Sequence, residues 1–251
     1  MELEQIRKMA LQVESLVGLS ASISGVSFHS EKSERASGTP LSQHRFCQAL
    51  MRARHGEIVS LDGQEMSCPA AAAAFGFRPL PDGLKSGKGL VGFGIVQEQA
   101  VGQRMFEEMP RLSPGQIQNL LVFPLSDAPV IPDVIVIEDD VEKLMWIDLA
   151  YLNAQGGRRL QSSTAILQAT CVDCTIIPYL EQRLNFSYGC YGCRDATGLA
   201  GSETVVGFPA SILPEVVNHL EFLAQKAIPT SRAKKAWNAL QAKTKMRGTH
   251  D

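Results

Sequence analysis

The chain has 251 residues, a formal net charge of −2 at pH 7, 45% hydrophobic residues and 20% charged residues. This charge gives no overall attraction to nucleic acid or to anionic membranes. No apolar run approaches the ~20 residues that span a bilayer, and the charged N-terminus MELEQIRKMA does not resemble a signal peptide. We therefore expect a soluble cytoplasmic protein with no nucleic-acid or membrane partner.

The first sixty residues alternate between helical and extended patterns. Apolar residues at helical spacing predict an amphipathic helix over 3–17, and SASISGVSFHS (20–30) predicts a strand. The polar stretch 30–40 predicts a loop. A helix is expected from about Ser42 to Arg54, followed by a short strand from Glu57 to Leu61.

The middle of the chain contains an alanine-rich helix and two buried strands. Ser67 is a suitable N-cap for a helix that begins after Cys68 and ends at Gly76. The glycine-rich and proline-rich segment 78–94 predicts irregular structure, and a helix is expected over about 96–109. The remaining predicted elements are strands over 119–125 and 133–139 and a helix over 139–157.

The alternation of strands and helices continues to the C-terminal part of the chain. ETVVGFP (203–209) predicts a strand, and a helix follows from about Ala210 to Lys226. We expect an α/β or α+β fold with a mixed sheet flanked by helices, in a single cysteine-rich domain over 1–228. The basic segment 229–251 reads either as a solvated terminal helix or as an appendage for an acidic partner.

Cysteine is the residue type that points most directly at chemistry. In a reducing cytosol, cysteines act as ligands, reactive groups or buried thiols more often than as disulfides. Thiolates at close spacing hold soft metals or iron–sulfur clusters. The six cysteines lie in four short segments: Cys47, Cys68, Cys171 with Cys174, and Cys190 with Cys193.

The first two segments place single cysteines on predicted helices. Cys68 precedes the alanine-rich helix, where unpaired N–H groups and the helix dipole favour a thiolate. Cys47 lies within its helix with Leu50 and Met51 one turn away, a pattern that is also typical of a buried, inert thiol. His44 lies one turn before Cys47, as a solvated histidine or as an accessory to a site.

The other two segments each contain a C-x-x-C pair. On a helix, Cys171 and Cys174 would point the same way, which suits chelation but also a core stripe. Cys190 and Cys193 lie among glycines in an expected flexible turn. The spacing of the two pairs formally matches a zinc ribbon. However, Thr175 and Arg194 follow the second cysteines, where ribbons usually carry glycine.

The surroundings of these cysteines resemble the uncharacterised ArCR proteins, also called domain of unknown function 169. The resemblance covers most of residues 40–210. It is carried by FCQALMRARHGE, SCPAAAAAFGF, PLSDAPVIPDVIVIED, ATCVDCTIIPYL, LNFSYGCYGCRD and ETVVGFP. The family pattern implies four ligand cysteines, one from each segment, which fall on Cys47, Cys68, Cys171 and Cys190. It leaves Cys174 and Cys193 as a second tier and implies no reaction.

Four thiolates without histidine suit a 4Fe–4S cluster or zinc. Ligands from distant parts of a chain favour a cluster, because structural zinc usually joins a short local segment. We therefore expect an anaerobe-type iron–sulfur protein with a redox or electron-transfer role and a redox partner protein. The alternatives are a zinc-stabilised binding or adaptor module that uses both C-x-x-C pairs, and a thiol redox enzyme in which either Cys190 or Cys193 is reactive and the other is resolving.

Overall fold

The computed structural model describes residues 1–30 and 38–247, the last three by their backbone only. The helices are α1 (Leu3–Val17), α2 (Phe46–Arg54), α3 (Pro69–Ala74), α4 (Asp82–Lys85), α5 (Lys88–Gly92), α6 (Gln99–Glu107), α7 (Val141–Ala154), α8 (Ile177–Glu181), α9 (Tyr191–Ala196), α10 (Leu213–Arg232) and α11 (Lys235–Arg247). A π-helix spans Ala169–Ile176, and short 3-10 turns span Leu125–Asp127 and Ala210–Ile212. The strands are β1 (Ser24–His29), β2 (Thr39–Pro40), β3 (Val59–Asp62), β4 (Asn119–Pro124), β5 (Val134–Asp140), β6 (Asn185–Ser187) and β7 (Glu203–Pro209).

The described strands form one sheet in the order β2-β3-β4-β1-β5-β7-β6. The β2–β3 pair is parallel, and the other neighbouring pairs are antiparallel. The predicted mixed sheet with flanking helices is therefore confirmed. Among the described residues, no helix is both long enough and apolar enough to cross a membrane.

The central strands bury side chains on both faces of the sheet. Successive side chains of a strand point to opposite faces. Leu121, Phe123 and Ile135 therefore face one side, which we call the platform face, and Val122 and Val136 face the other. We call the second side the cysteine face, because the residues packed on it include Cys171.

The platform face is covered by three long helices. Helix α1 contributes Ile6, Ala10, Val13 and Val17, at the spacing of one helical face. Helices α7 and α10 pack beside it and complete an apolar layer. At about 25 cal/mol per Å² of apolar surface buried, this layer is a main source of the stability of the fold.

The cysteine face carries shorter elements, namely α2, α3, the π-helix, α5 and α6. Gly207 of β7 is required there, because a Cβ atom on it would lie 1.8 Å from the carbonyl oxygen of Cys174. The absence of a side chain at this position lets the π-helix lie directly on the sheet. The sheet thereby fixes the π-helix, which in turn positions Cys171.

Several predicted boundaries shift in the structure for identifiable reasons. Helix α2 begins at Phe46 and not at about Ser42, because Gln43 has a positive φ and Arg45 is extended. The segment 78–94, expected to be irregular, contains α4 and α5. The helix expected to end near Lys226 continues to Arg232 and crosses the expected boundary at residue 229. Most of the predicted loop over 30–40 lies outside the described residues.

Candidate cysteine site

Five cysteine side chains line one cavity of about 570 Å³ on the cysteine face. Four of the five are buried, and Cys68 is partly exposed. Apolar side chains, including Leu90, Phe106 and Leu167, complete much of the wall. The cysteine cavity is lined by Cys47, Cys68, Cys171, Cys190 and Cys193.

Cys47 and Cys68 enter the cavity from the first turns of two helices. Arg45 is the N-cap of α2, so Cys47 is the second helical residue. Cys68 is itself the N-cap of α3, with Pro69 at the first helical position. The expected cap, Ser67, lies one residue too early, since the helix begins at the fixed φ of the proline.

The π-helix places its two cysteines on different sides. Cys171 lines the cavity. The sulfur of Cys174 lies 3.5 Å from the carbonyl oxygen of Val205 and 3.8 Å from that of Asn185, at the sheet. The expectation that both thiols point the same way is wrong, because the wider turn of a π-helix separates residues three apart further around the axis than an α-helix does.

Cys190 and Cys193 form a close thiol pair at the beginning of α9. Cys190 is the N-cap of this short helix, where a flexible turn was expected, and its sulfur accepts a hydrogen bond from the Cys193 N–H at 3.2 Å. The two sulfurs are 3.1 Å apart. Thr170 Oγ1 lies 3.1 Å from the Cys193 sulfur and links α9 to the π-helix.

The surroundings of these thiols disfavour the thiolate form. Burial, followed by repulsion from the thiols of Cys68 and Cys193, raises the pKa of Cys171 well above its usual value. The contact with Cys193, together with burial, raises the pKa of Cys190. For Cys193, the contact with Cys190 lowers the pKa, but contact with Cys47 and burial outweigh it and bring the pKa to about 12. Without a bound cation, these three thiols are therefore neutral at pH 7.

Arg45 is the cationic side chain that lines the cysteine cavity. Its Nη1 donates a hydrogen bond of 2.9 Å to the Gly192 carbonyl and lies 3.6 Å from Asp195 Oδ2. The guanidinium thus fastens α2 to α9, the two helices that carry Cys47 and Cys193. Sequence reasoning missed this residue; its position directly before a helix that carries a cysteine was the available signal.

No group of three or more His, Cys, Asp or Glu side chains in the described residues converges on a single metal-ion position. A tetrahedral zinc with Zn–S bonds of about 2.3 Å holds its sulfurs about 3.8 Å apart. The 3.1 Å between Cys190 and Cys193 is shorter than that separation. Five cysteines line an open volume of about 570 Å³. His44 does not line the cavity.

A buried carboxyl group lies on the far side of the π-helix. Asp173, between the two cysteines of the CVDC motif, is 2% exposed, and its Oδ2 accepts hydrogen bonds from Thr164 Oγ1 and from Ser187 Oγ at 2.8 Å. Burial raises the pKa of Asp173 to about 7. Sequence reasoning did not single out Asp173, although an acidic residue between two buried cysteines is an unusual feature.

Comparison with known proteins gives a family but no activity. The family described as DUF169, uncharacterised ArCR, matches residues 12–219. An uncharacterized protein of Methanocaldococcus jannaschii is 27% identical over 229 residues, which are 90% of this chain and 97% of that protein. No solved structure matches the chain. The family match covers most of the chain and includes all six cysteines, and the chain therefore belongs to the DUF169 family of uncharacterised ArCR proteins.

Proposed function

We propose that the chain is a cytoplasmic iron–sulfur protein that holds a 4Fe–4S cluster through Cys47, Cys68, Cys171 and Cys190. The observation that carries this proposal is the common cavity, which is lined by cysteines from four separate segments. Such a cluster would supply one-electron redox chemistry.

The surroundings of the cavity fit a metal cluster whose thiolate ligands carry negative charge. Several neutral thiols in an apolar wall become ligands when a metal displaces their protons, since the metal charge offsets both desolvation and mutual repulsion. Arg45 and the N–H of Cys193 add positive electrostatic potential near the sulfurs. N–H···S contacts of this kind tune the reduction potential of iron–sulfur clusters.

An electron-transfer role requires that a partner protein reach the cavity. Tyr191 is 61% exposed and Phe93 is 62% exposed, and both line the cysteine cavity. Exposed aromatic side chains are enriched at protein interfaces. We propose that a redox partner protein docks over this rim, where Cys68 is partly exposed.

The test is iron and sulfide analysis of protein that is purified without oxygen. The proposal expects about four iron and four sulfide per chain. Alanine substitution of each proposed ligand in turn should lower the iron content of folded protein severalfold. Cys174→Ala is the matched control, because Cys174 faces the sheet and its loss should leave the iron content unchanged. Stoichiometric zinc would favour the adaptor module, and folded protein with neither metal would reject the cluster.

The close pair Cys190 and Cys193 supports a second candidate, a dithiol that forms a reversible disulfide. The 3.1 Å sulfur contact is the observation that favours it. In an exchange with the disulfide of a partner protein, an S–S bond would form between Cys190 and Cys193, the partner's S–S bond would break, and two electrons and two protons would pass to the partner to give two thiols. Cys193→Ala separates the candidates, since it abolishes disulfide formation but preserves the four proposed ligands.

A further inference from the structure

A second cavity, of about 680 Å³, lies on the other side of the π-helix from the cysteine cavity. Its floor contains the buried side chains of Met109, Val172 and Ile177. The strands of the sheet do not line it. We call it the Asp173 cavity, after the carboxyl group that lines it.

Two buried polar side chains lack partners for part of their hydrogen-bonding capacity in this cavity. Asp173 uses Oδ2 for the hydroxyl groups of Thr164 and Ser187, and within the described residues its Oδ1 has no hydrogen-bond partner. Gln168 is only 8% exposed and lines the cavity, and its side-chain amide has no partner among the described residues. The free polar atoms of both side chains are not sealed inside the protein, and they are open to a ligand that enters this cavity.

The backbone of the same segment is held in an unfavourable conformation. Ile166 has φ of 57° and Gln168 has φ of 54°, values that L-residues with a side chain seldom adopt. For the β-branched Ile166, this conformation is a clear outlier. Residues held in such conformations cluster at functional sites, because the surrounding structure must enforce them. The conformation of Gln168 places its side chain at the cavity and its carbonyl oxygen at the start of the π-helix.

The charges around the cavity are mainly negative. Glu108 and Glu181 stand at its exposed rim, Asp173 lies at its floor, and Arg104 is the cationic lining residue. The two rim carboxylates outnumber the one guanidinium and favour a positively charged ligand. The open Oδ1 of Asp173 favours a ligand that donates N–H hydrogen bonds.

We propose that the Asp173 cavity is a binding site for a small organic amine, which places its ammonium group between Asp173 Oδ1 and the Gln168 amide and its apolar body against Met109, Val172 and Ile177. Gln168 also lines the cysteine cavity, so the amine would bind next to the segment that carries Cys171. Amine binding here does not depend on a metal in the cysteine cavity, so it can be tested separately from the cluster.

Calorimetric titration with four probes of similar size tests the chemistry of the ligand. The probes are 2-phenylethylamine, its trimethylammonium analogue, 2-phenylethanol and 3-phenylpropionate. We expect the primary amine to bind about tenfold more tightly than each of the others, because a charge-assisted hydrogen bond contributes about that factor. Equal affinity for the trimethylammonium analogue, tighter binding of the carboxylate, or no binding of the amine would overturn the proposal.

Variants locate the binding to this cavity. Asp173→Asn should weaken binding of 2-phenylethylamine about tenfold. Gln168→Asn withdraws the amide by one methylene in a residue type that tolerates positive φ, and it should weaken binding about threefold. Both variants alter buried residues, so a test that does not depend on them is needed.

Surface variants of α6 supply this independent test. Arg104→Gln removes a positive charge from the cavity wall and should tighten amine binding about threefold. Gln103→Glu changes the net charge by the same amount at the neighbouring position, which does not line the cavity, and should leave the affinity unchanged. Equal effects of the two variants would mean that the amine senses only the overall charge, and the proposed site would be wrong.

Discussion

The two faces of the sheet use opposite means to bury their side chains. The platform face carries long helices: α1 has 15 residues, α7 has 14 and α10 has 20. The cysteine face carries helices of nine residues or fewer, a π-helix and nearby residues with positive φ. The buried polar groups on the cysteine side include Thr170, Asp173 and Asn185, and those on the platform side include Asp139.

This difference means that the cysteine site lies on the face with the shorter and less regular elements. An apolar layer under continuous helices stabilises a fold at little structural cost. Short helices leave their ends near the interior, and the structure uses two such ends to place Cys68 and Cys190. Both faces contribute apolar burial to stability, but only the short elements of the cysteine face place the thiols around the cavity.

The largest effect on stability is expected from a substitution confined to the platform face. Phe123 is fully buried and stacks against Gly25 of the neighbouring strand, where a Cβ would lie 2.4 Å from the ring. Phe123→Ala should lower the free energy of unfolding by about 3–5 kcal/mol, measured by denaturant titration. Iron bound per folded molecule should not change. Phe222→Ala, which removes a ring that is 64% exposed, should cost less than about 0.5 kcal/mol.

A change on the cysteine face should lower the iron content as well as the stability. Gly207→Ala introduces a Cβ at 1.8 Å from the Cys174 carbonyl oxygen, so the π-helix must move off the sheet. We expect a loss of about 2–3 kcal/mol in the free energy of unfolding. Iron content should also fall severalfold, although no cysteine is changed. The control is Gly201→Ala, where a Cβ meets no atom within 4 Å; Gly207→Ala protein with normal iron would contradict the proposed role of the π-helix.

The platform face was predictable from the sequence, whereas the cysteine face was predictable only in part. The apolar spacing over 3–17 specifies α1 with its observed bounds, because one helix face supplies the burial. The strand over 203–209 is also confirmed at both ends. These elements are specified by local pattern, which a single sequence contains.

The geometry of the site depends on contacts that local pattern does not encode. The π-helix arises where the positive φ of Gln168 meets packing on Gly207, residues that are far apart in the chain. Cys171 and Cys174 consequently separate, against the helical expectation. Cys193 was assigned to a second tier, yet it lines the cavity with the four expected cysteines. The short helix α9 was missed, because its glycine-rich sequence favours a turn.

A smaller effect on stability, which depends on pH, is expected from Asp148 of α7. Burial alone raises its pKa to about 7, and its Oδ1 has no hydrogen-bond partner among the described residues. The folded state therefore binds a proton at Asp148 more strongly than the unfolded chain does. The stability that this protonated carboxyl contributes at pH 4 is lost as the pH rises to 7.

Asp148→Asn should remove this loss. We expect the variant to be about 1–2 kcal/mol more stable than the wild type at pH 8 and little different at pH 4, by denaturant titration at both values. The pKa of Glu138 is also raised to about 7, mainly by burial, so part of the pH dependence should remain in the variant. Equal stability of the two proteins at pH 8 would show that the Asp148 carboxyl is not desolvated.

The smallest effect is expected from the basic C-terminal segment. The side chains described in α11 are exposed, so removal of residues 235–251 should change the free energy of unfolding by less than about 0.5 kcal/mol. The platform should instead end at Arg232, which pairs with Glu142 at 3.0 Å and donates to the Val17 carbonyl at 2.7 Å. Arg232→Met in the shortened chain should cost about 1 kcal/mol. If the truncation costs more than the substitution, then α11 belongs to the platform and the boundary of the folded unit lies beyond Arg232.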